Sequence, residues 1–307
     1  MSDSDSDSDV VSGPKGCNFP SNSPEVSANN STQLGNAEFS FLKMDKKSPM
    51  YFLNTATHTN DKRLVLRNMP DCGELPLPPD NMMQYSETPE AHHKTGSRLA
   101  KIIREMLPSN GIELASLENV LEFGCSNCRV LRHFEDVARE NNYWGCDINA
   151  NTIFWNIENL SPPFNFFVNT TLPNLPIRDG YFDFVFATSV FTHMDDMFFG
   201  WLLEIKRVVA ESGYAFLTFL NEGTIKFGMD RVQSPVGKAI ASNAELIDDL
   251  LTKKNNMVVI NRDSSSMTFV RGEFIEKHLS QLFEVVSVVE NTMAGHQTGY
   301  LLKNTKP

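Results

Sequence analysis

The fold is decided at Val120-Leu121-Glu122-Phe123-Gly124-Cys125-Ser126-Asn127-Cys128-Arg129-Val130-Leu131-Arg132. This stretch predicts a short buried strand over 119–123, a tight loop, and the start of a helix. An acidic residue, Glu122, stands at the end of the strand, and Gly124 opens the loop. That arrangement suits a nucleotide-like cofactor lying across the ends of parallel strands.

Strands and helices alternate outward from this stretch. Hydrophobic periodicity predicts a helix over 82–107 before it, and further helices over 129–141, 150–160, 201–209 and 271–281. Apolar runs predict the other strands, over 143–147, 164–168, 182–188, 213–220, 283–290 and 299–302. The last two strands are close enough in the chain to pair antiparallel. We therefore expect an α/β fold: a doubly wound, mostly parallel seven-stranded sheet with an antiparallel last strand and helices on both faces.

Composition divides the chain into three parts. Residues 1–45 are rich in Ser, Asp and Asn and predict a disordered acidic tail. Residues 46–80 contain five prolines and predict an irregular linker. Residues 81–307 would form the folded domain, with a lid-like insertion at about 221–268, where the alternation of strands and helices breaks.

Charge and composition disfavour several classes of protein. The 38 acidic and 27 basic residues give a net charge of −11, and no basic run is present, so we expect no nucleic-acid partner. No apolar run approaches the ~20 residues of a membrane-spanning helix, and the Met-Ser-Asp start is unlike a secretory signal. The five cysteines are an odd number and are interpreted as reduced thiols in a cytoplasmic protein. The oligomeric state is left open.

Two acids at strand ends, Glu122 and Asp147, point to the cofactor site. Consecutive strands of a doubly wound sheet end side by side, so Asp147 is well placed to accept hydrogen bonds from ribose hydroxyls. NAD-binding and S-adenosylmethionine-binding folds both use such an acid, and two surface acids that cap loops would give the same pattern. The acids alone leave these interpretations open.

Cysteine and histidine pairs are the candidate metal ligands. Cys125 and Cys128 form a CxxC, and Cys146 follows on the next predicted strand, but a zinc site needs four ligands and no fourth is evident nearby. We therefore expect no metal. The pair His92-His93 at a helix start is expected to be solvated.

A second stretch, over 182–193, carries a resemblance to a known family. Phe182-Asp183 opens a buried strand, and Ser189-Val190-Phe191-Thr192-His193 follows the strand. Three more stretches stand in the order found in that family: Gly145-Cys146-Asp147-Ile148-Asn149, Trp201-Leu202-Leu203-Glu204-Ile205-Lys206-Arg207-Val208 and Gln297-Thr298-Gly299-Tyr300-Leu301-Leu302. Across about residues 80–307 the chain resembles class I S-adenosylmethionine-dependent methyltransferases.

The resemblance implies S-adenosylmethionine as the cofactor and assigns roles by position. Glu122 would lie near the methionine amino group, Gly124 would let the backbone approach, Asp147 would bind the ribose, Ile148 would pack on the adenine, Asn169 would accept from the adenine amino group, and Ser189 would lie near the methionine portion. Cys125 and Ser126 belong to the same cofactor loop. The loop departs from the family at Ser126 and Cys128, where glycine is usual, so the loop would bind the cofactor weakly or not at all.

These observations predict methyl transfer to a small or medium organic acceptor, such as a sugar or secondary metabolite, with O-methylation favoured. An oxygen nucleophile often needs a base, for which His193 is the first candidate and Glu222 the second. Phe227, Met229 and Met257 suggest a partly apolar lid over the acceptor. Two alternatives remain: a non-catalytic methyltransferase-like binding or interaction protein, and an NAD-linked α/β enzyme.

Overall fold

The computed structural model describes residues 75–79, 82, 88–195, 197–261 and 266–305, and the backbone of two short strands, β1 (Lys43–Met44) and β2 (Tyr51–Phe52), which pair antiparallel. The other strands are β3 (Asn119–Phe123), β4 (Asn142–Asp147), β5 (Asn165–Val168), β6 (Phe182–Ala187), β7 (Val209–Phe219), β8 (Met257–Ile260), β9 (Met267–Val270), β10 (Glu284–Val289) and β11 (Thr298–Lys303). The α-helices are α1 (Pro89–Ser109), α2 (Glu135–Ala138), α3 (Ala150–Leu160), α4 (Phe198–Val208), α5 (Glu222–Asp230), α6 (Pro235–Ser242), α7 (Ala244–Leu251) and α8 (Gly272–Leu282).

Seven strands form one sheet, in the order β10-β11-β7-β6-β3-β4-β5. Strands β3 to β7 are parallel, and β11 is antiparallel to both β7 and β10. This confirms the predicted fold class. The chain order reverses between β3 and β6, so the loops that follow these two strands diverge and leave a crevice at the carboxyl edge of the sheet.

The sheet is buried on both faces because its central strands are apolar at nearly every position. In β6, Phe182, Val185 and Ala187 pack into one hydrophobic layer, while Phe184 and Phe186 pack into the opposite layer. Helices α4 and α8 cover the first face, and helices α1 and α3 cover the second. A rigid two-sided core of this kind fixes where each strand ends, and hence where the loops at the carboxyl edge begin.

The helix expected over 129–141 is largely absent. Leu131–Phe134 is a single 3-10 turn, and α2 adds only four residues. The apolar positions still face inward, with Val130, Leu131 and Phe134 buried. The side chain of Glu122 explains part of the irregular start, because its Oε2 accepts from the Leu131 amide at 2.9 Å.

The segment between β7 and α8 has a small core of its own. Helices α5, α6 and α7 and the antiparallel hairpin β8–β9 bury a cluster that includes Ile225, Ile240, Ile247 and Phe269. The apolar pattern of the sequence indicates only one of these helices, as a helix-like piece over 244–254. The Val270 amide donates to the Leu220 carbonyl at 2.9 Å and ties the hairpin to the end of β7. This segment therefore lies beside the carboxyl edge of the sheet.

Within the described residues, no helix is both long enough and apolar enough to cross a membrane. The predicted tail over 1–45 and linker over 46–80 lie mostly outside the described residues and stay predictions.

Candidate active site

The crevice between the loops after β3 and β6 is narrow at Gly124. This glycine has φ +75°, and a Cβ placed on it would lie 2.4 Å from Cγ2 of Val190 in the loop after β6. Only glycine meets both demands, a left-handed backbone and a close neighbour. The two loops that the sequence analysis singled out are therefore in contact.

The loop after β3 keeps a glycine-like shape without the glycines. Ser126 has φ +46° and Cys128 has φ +57°, both in the left-handed region. Such a conformation costs a non-glycine residue on the order of 1–2 kcal/mol. Contacts from the rest of the domain must therefore hold the loop in place.

Three polar side chains provide those contacts. The Ser126 amide donates to Oδ2 of Asp147 at 2.8 Å, and Nδ2 of Asn156 donates to the Ser126 carbonyl at 2.7 Å. Asn127 is buried, and its Nδ2 donates to the Met82 carbonyl at 2.6 Å. Sequence reasoning missed Asn156, although a polar residue in register with the buried Ile153 and Leu160 of α3 was an available signal.

His92 also holds the loop, and the expectation that it is solvated was wrong. Its side chain is fully buried, and Nε2 lies 2.9 Å from Oδ1 of Asn127. The available signal was its spacing with the apolar stripe of α1, which continues through Gly96, Leu99 and Ile103. Burial lowers the pKa of His92, so the imidazole is held neutral and donates from Nε2 to the Asn127 oxygen.

Glu122 lies beneath the loop as a buried carboxyl group. It is 3% exposed, and burial raises its pKa to about 8. The hydrogen bond from the Leu131 amide and the charge of Arg129 oppose that rise. Near neutral pH the group is therefore mostly protonated, and a nearby cation would favour its ionised form.

Asp147 and Ile148 lie at the end of β4, and Asn169 follows the neighbouring strand β5. The oxygens of Asp147 accept from the amides of Ser126 and Asn149, each at 2.8 Å, and each oxygen keeps a second lone pair. Ile148 is 59% exposed. Asn169 is buried, its amide donates to the Asp147 carbonyl at 3.1 Å, and its Oδ1 has no hydrogen-bond partner within the described part of the chain.

The loop after β6 is tied to the β10–β11 turn by a polar network. Ser189 has φ +63°, and its amide donates to Oγ1 of Thr218 at 2.8 Å. Gln297 bridges the two residues, because its Nε2 donates to Oγ of Ser189 at 3.0 Å and its Oε1 accepts from Thr218 at 2.8 Å. The sequence analysis placed Gln297 at the start of the last strand but did not predict this contact, since the turn that carries Gln297 reaches Ser189 only when β11 pairs with β7.

The two candidate bases occupy different settings. Nδ1 of His193 lies 2.6 Å from the Ser266 carbonyl, which precedes β9. Because a carbonyl only accepts, a neutral His193 ring carries its proton on Nδ1 and its lone pair on Nε2. Glu222 lies in the first turn of α5, and its Oε2 accepts from the Gly272 amide at 2.9 Å. Its carboxylate thus links α5 to the start of α8, which favours a structural role.

The thiols lie below the loop. Cys125, Cys128 and Cys146 are buried and free, and burial raises the pKa of each. The Cys125 amide donates to the Cys146 carbonyl at 2.9 Å, and its side chain faces α3, where Nδ2 of Asn156 lies 3.9 Å from the sulfur. Its placement therefore does not support a direct contact between the Cys125 side chain and a cofactor. No group of three or more His, Cys, Asp or Glu with metal-binding geometry occurs among the described residues.

Two cavities lie away from this crevice. One, of about 420 Å³, lies among α5, α6 and α7 and is lined mainly by apolar side chains such as Met229, Ile240 and Ile247. The other, of about 580 Å³, lies at the opposite edge of the sheet, beside Asp179 and Arg207. The polar groups described above are all at the crevice, so we take the crevice as the candidate site.

Comparison with known proteins bears directly on this crevice. Residues 121–217, from β3 to β7, match the family model described as a methyltransferase domain. Residues 121–217 thus carry a methyltransferase domain. Enzymes with this domain transfer a methyl group from S-adenosylmethionine, and S-adenosylmethionine is the cofactor. This match favours a methyltransferase over the NAD-linked alternative.

Similar solved structures are distant. The PH0226 protein of Pyrococcus horikoshii OT3 is 15% identical, with 71% of this chain and 92% of that chain covered and a TM-score of 0.48. Magnesium protoporphyrin IX methyltransferase of Synechocystis PCC 6803, with bound S-adenosylhomocysteine, is 12% identical, with 72% of this chain and 89% of that chain covered and a TM-score of 0.47. The 1,6-didemethyltoxoflavin-N1-methyltransferase of Burkholderia thailandensis is 9% identical, with 70% and 80% covered and a TM-score of 0.46. No curated protein matches the chain.

Proposed function

We propose that this methyltransferase domain methylates an oxygen atom of a small or medium organic acceptor, with His193 as the base. The observation that carries the proposal is the hydrogen bond from Nδ1 of His193 to the Ser266 carbonyl, which orients the ring and, in its neutral form, places the lone pair on Nε2. When bound, S-adenosylmethionine supplies an electrophilic methyl group on a sulfonium.

The residues of the crevice fit that cofactor. Asn169 has a buried oxygen without a partner in the described part of the chain, and this oxygen suits the adenine amino group. Burial raises the pKa of Glu122 to about 8, and the methionine ammonium is a cation that would favour the ionised carboxylate. Asp147 would accept the ribose hydroxyls with the lone pairs that the two amides leave over. The exposed Ile148 would pack on the adenine ring, and Gly124 and Ser126 would line the cofactor through their backbone.

The protein's part in the reaction is to orient the acceptor and remove its proton. The hydroxyl hydrogen passes to Nε2 of His193, and the Ser266 carbonyl stabilises the imidazolium that forms, because Nδ1–H points at it. Ser189, held by Gln297 and Thr218, forms the wall between this base and the cofactor loop. The hairpin β8–β9, which carries Ser266 at its edge, is thus a part of the proposed acceptor site.

The cofactor assignment is tested by calorimetric titration with S-adenosylmethionine. We expect Asp147→Ala to weaken binding at least tenfold, because it removes the predicted ribose contact and the partner of the Ser126 amide. Asp183→Ala is the matched control: Asp183 lies at the amino end of β6, where its Oδ2 accepts from the Asn119 amide. Undiminished binding by Asp147→Ala contradicts the assignment.

The role of His193 is tested by turnover on a panel of hydroxylated acceptors. His193→Gln is expected to lower kcat by roughly 10²–10⁴, with the affinity for S-adenosylmethionine unchanged. Glu222→Gln is expected to leave kcat within a few fold and to lower thermal stability, since its carboxylate holds the start of α8. A reversal of these two results would assign the base to Glu222.

A further inference from the structure

We propose that the acceptor carries an acidic group, a carboxylate or a phosphate, which Arg98 and Arg231 bind at the rim of the crevice. This inference rests on the proposed function, because it names the class of acceptor for the same site. It starts from the turn between β10 and β11, at the carboxyl edge of the sheet.

The turn contacts both the loop after β6, through Ser189, and helix α5, through Thr224. Gln297, its last residue, donates to Oγ of Ser189 in the loop after β6. His296 precedes it, and the His296 carbonyl accepts from Oγ1 of Thr224 at 2.6 Å, which fixes α5 against the turn. A group bound beside His296 would therefore lie next to Gln297, whose side chain contacts Ser189 at the proposed cofactor site.

Two guanidinium groups flank this turn. A Cβ placed on Gly295 would lie 3.8 Å from Nη2 of Arg98, which belongs to α1. On the side of α5, the Phe227 ring packs on the His296 ring with centroids 5.1 Å apart, and the guanidinium of Arg231 lies 4.3 Å from the Phe227 centroid. The aromatic stack holds Arg231 in a defined position while its N–H groups stay available.

Neither arginine has an acidic partner among the described residues, although the chain carries a net charge of −11. Other arginines of the domain have partners: Arg104 pairs with Asp136, Arg139 with Glu135, and Arg207 with Glu204 and Asp179, while Arg132 donates to the carbonyls of Leu75 and Pro76. Arg178 also has no ion pair within the described ranges, and it lies over Tyr181, just before β6 at the opposite edge of the sheet. Two guanidinium groups that flank one turn thus provide planar donors that suit a carboxylate or a phosphate.

The first experiment measures binding without turnover. Citrate and pyrophosphate serve as probes by ligand-observed NMR, and the stronger of the two shows whether carboxylate or phosphate is preferred. We expect the double variant Arg98→Gln, Arg231→Gln to lose at least tenfold in affinity for one probe, while Arg178→Gln, the matched control, binds as the natural protein does. Equal binding by the natural protein and the double variant, or no binding of either probe, overturns the proposal.

The second experiment compares acidic and neutral acceptors of the same shape, such as hydroxybenzoates with hydroxybenzamides and sugar phosphates with the free sugars. The acidic members should have a KM at least tenfold lower, and the double variant should abolish that difference, whereas Arg178→Gln should keep it; neither variant should change the affinity for S-adenosylmethionine. Turnover of neutral members at equal KM overturns the proposal. Probe binding that is lost in the double variant, with no methyl transfer to any acceptor, would instead uphold the anion site and contradict the proposed function.

Discussion

Replacing Glu122 with glutamine tests two effects of the buried carboxyl group: it lowers the stability of the folded protein, and it is proposed to bind the cofactor. The glutamine side chain would keep an oxygen that accepts from the Leu131 amide, and it cannot ionise. In the folded protein the pKa of Glu122 is about 8, whereas its ordinary value is 4.5. The folded state therefore binds more protons than the unfolded state between these values, and stability falls as the pH rises through that window.

The magnitude follows from the same two values. At pH 7 the unfolded carboxyl group is ionised, whereas the folded one is mostly protonated, which at ~1.4 kcal/mol for each pKa unit costs on the order of 3 kcal/mol. The buried glutamine amide brings hydrogens of its own that need acceptors, at about 1–2 kcal/mol. We therefore expect Glu122→Gln to raise the free energy of unfolding at pH 7 by about 1–2 kcal/mol, and to lower it by about 1 kcal/mol at pH 4.5, where only the cost of the buried amide remains.

Two assays measure the effect. As the pH rises, the stability of the natural protein should fall, whereas its affinity for S-adenosylmethionine should rise. Chemical denaturation from pH 4.5 to 9 should show a steep loss of stability in the natural protein and a flatter profile in the variant. Titration with S-adenosylmethionine should show that the natural protein gains about tenfold in affinity from pH 6 to 7, as the ammonium recruits the ionised carboxyl group, while the variant binds weakly at both. Asp183→Asn, at the far end of the sheet, should change neither profile. Parallel stability profiles for the natural protein and Glu122→Gln would refute the reasoning.

Three further predictions concern the loop after β3 and its supports. Gly124→Ala should cost more stability than Gly111→Ala by about 1–3 kcal/mol, because both have φ +75° but only Gly124 faces a close neighbour; equal losses in thermal denaturation would contradict the close packing. Cys128→Gly should be more stable than Cys128→Ala by about 1 kcal/mol, because glycine relieves the left-handed backbone, and urea denaturation checks the order of the two. His92→Gln should flatten the loss of stability below pH 6.5, since the lowered pKa of His92 makes its protonation unfavourable in the folded state; an unchanged acid profile would contradict its burial as a neutral ring.

The sequence by itself determined the sheet and the position of the site along the chain. Apolar runs with breaks at regular intervals located the seven main strands to within a few residues, because strands buried on both faces can contain little else. Strand-end acids marked the carboxyl edge for the same reason: a polar residue that follows such a run must lie where the core ends. The 3-10 turn at Leu131–Phe134 was not predictable, because the periodicity of apolar residues fixes which side faces inward but not how tightly the backbone winds.

Only the tertiary structure decided which polar side chains serve the site. His92 reaches Asn127 from α1, Asn156 reaches Ser126 from α3, and Gln297 reaches Ser189 from the far end of the chain. Each of these hydrogen bonds joins residues that are at least 30 positions apart, and it forms because strand pairing and helix packing place the two groups about 3 Å apart. A hydrogen bond needs that distance and direction, which local sequence patterns do not encode.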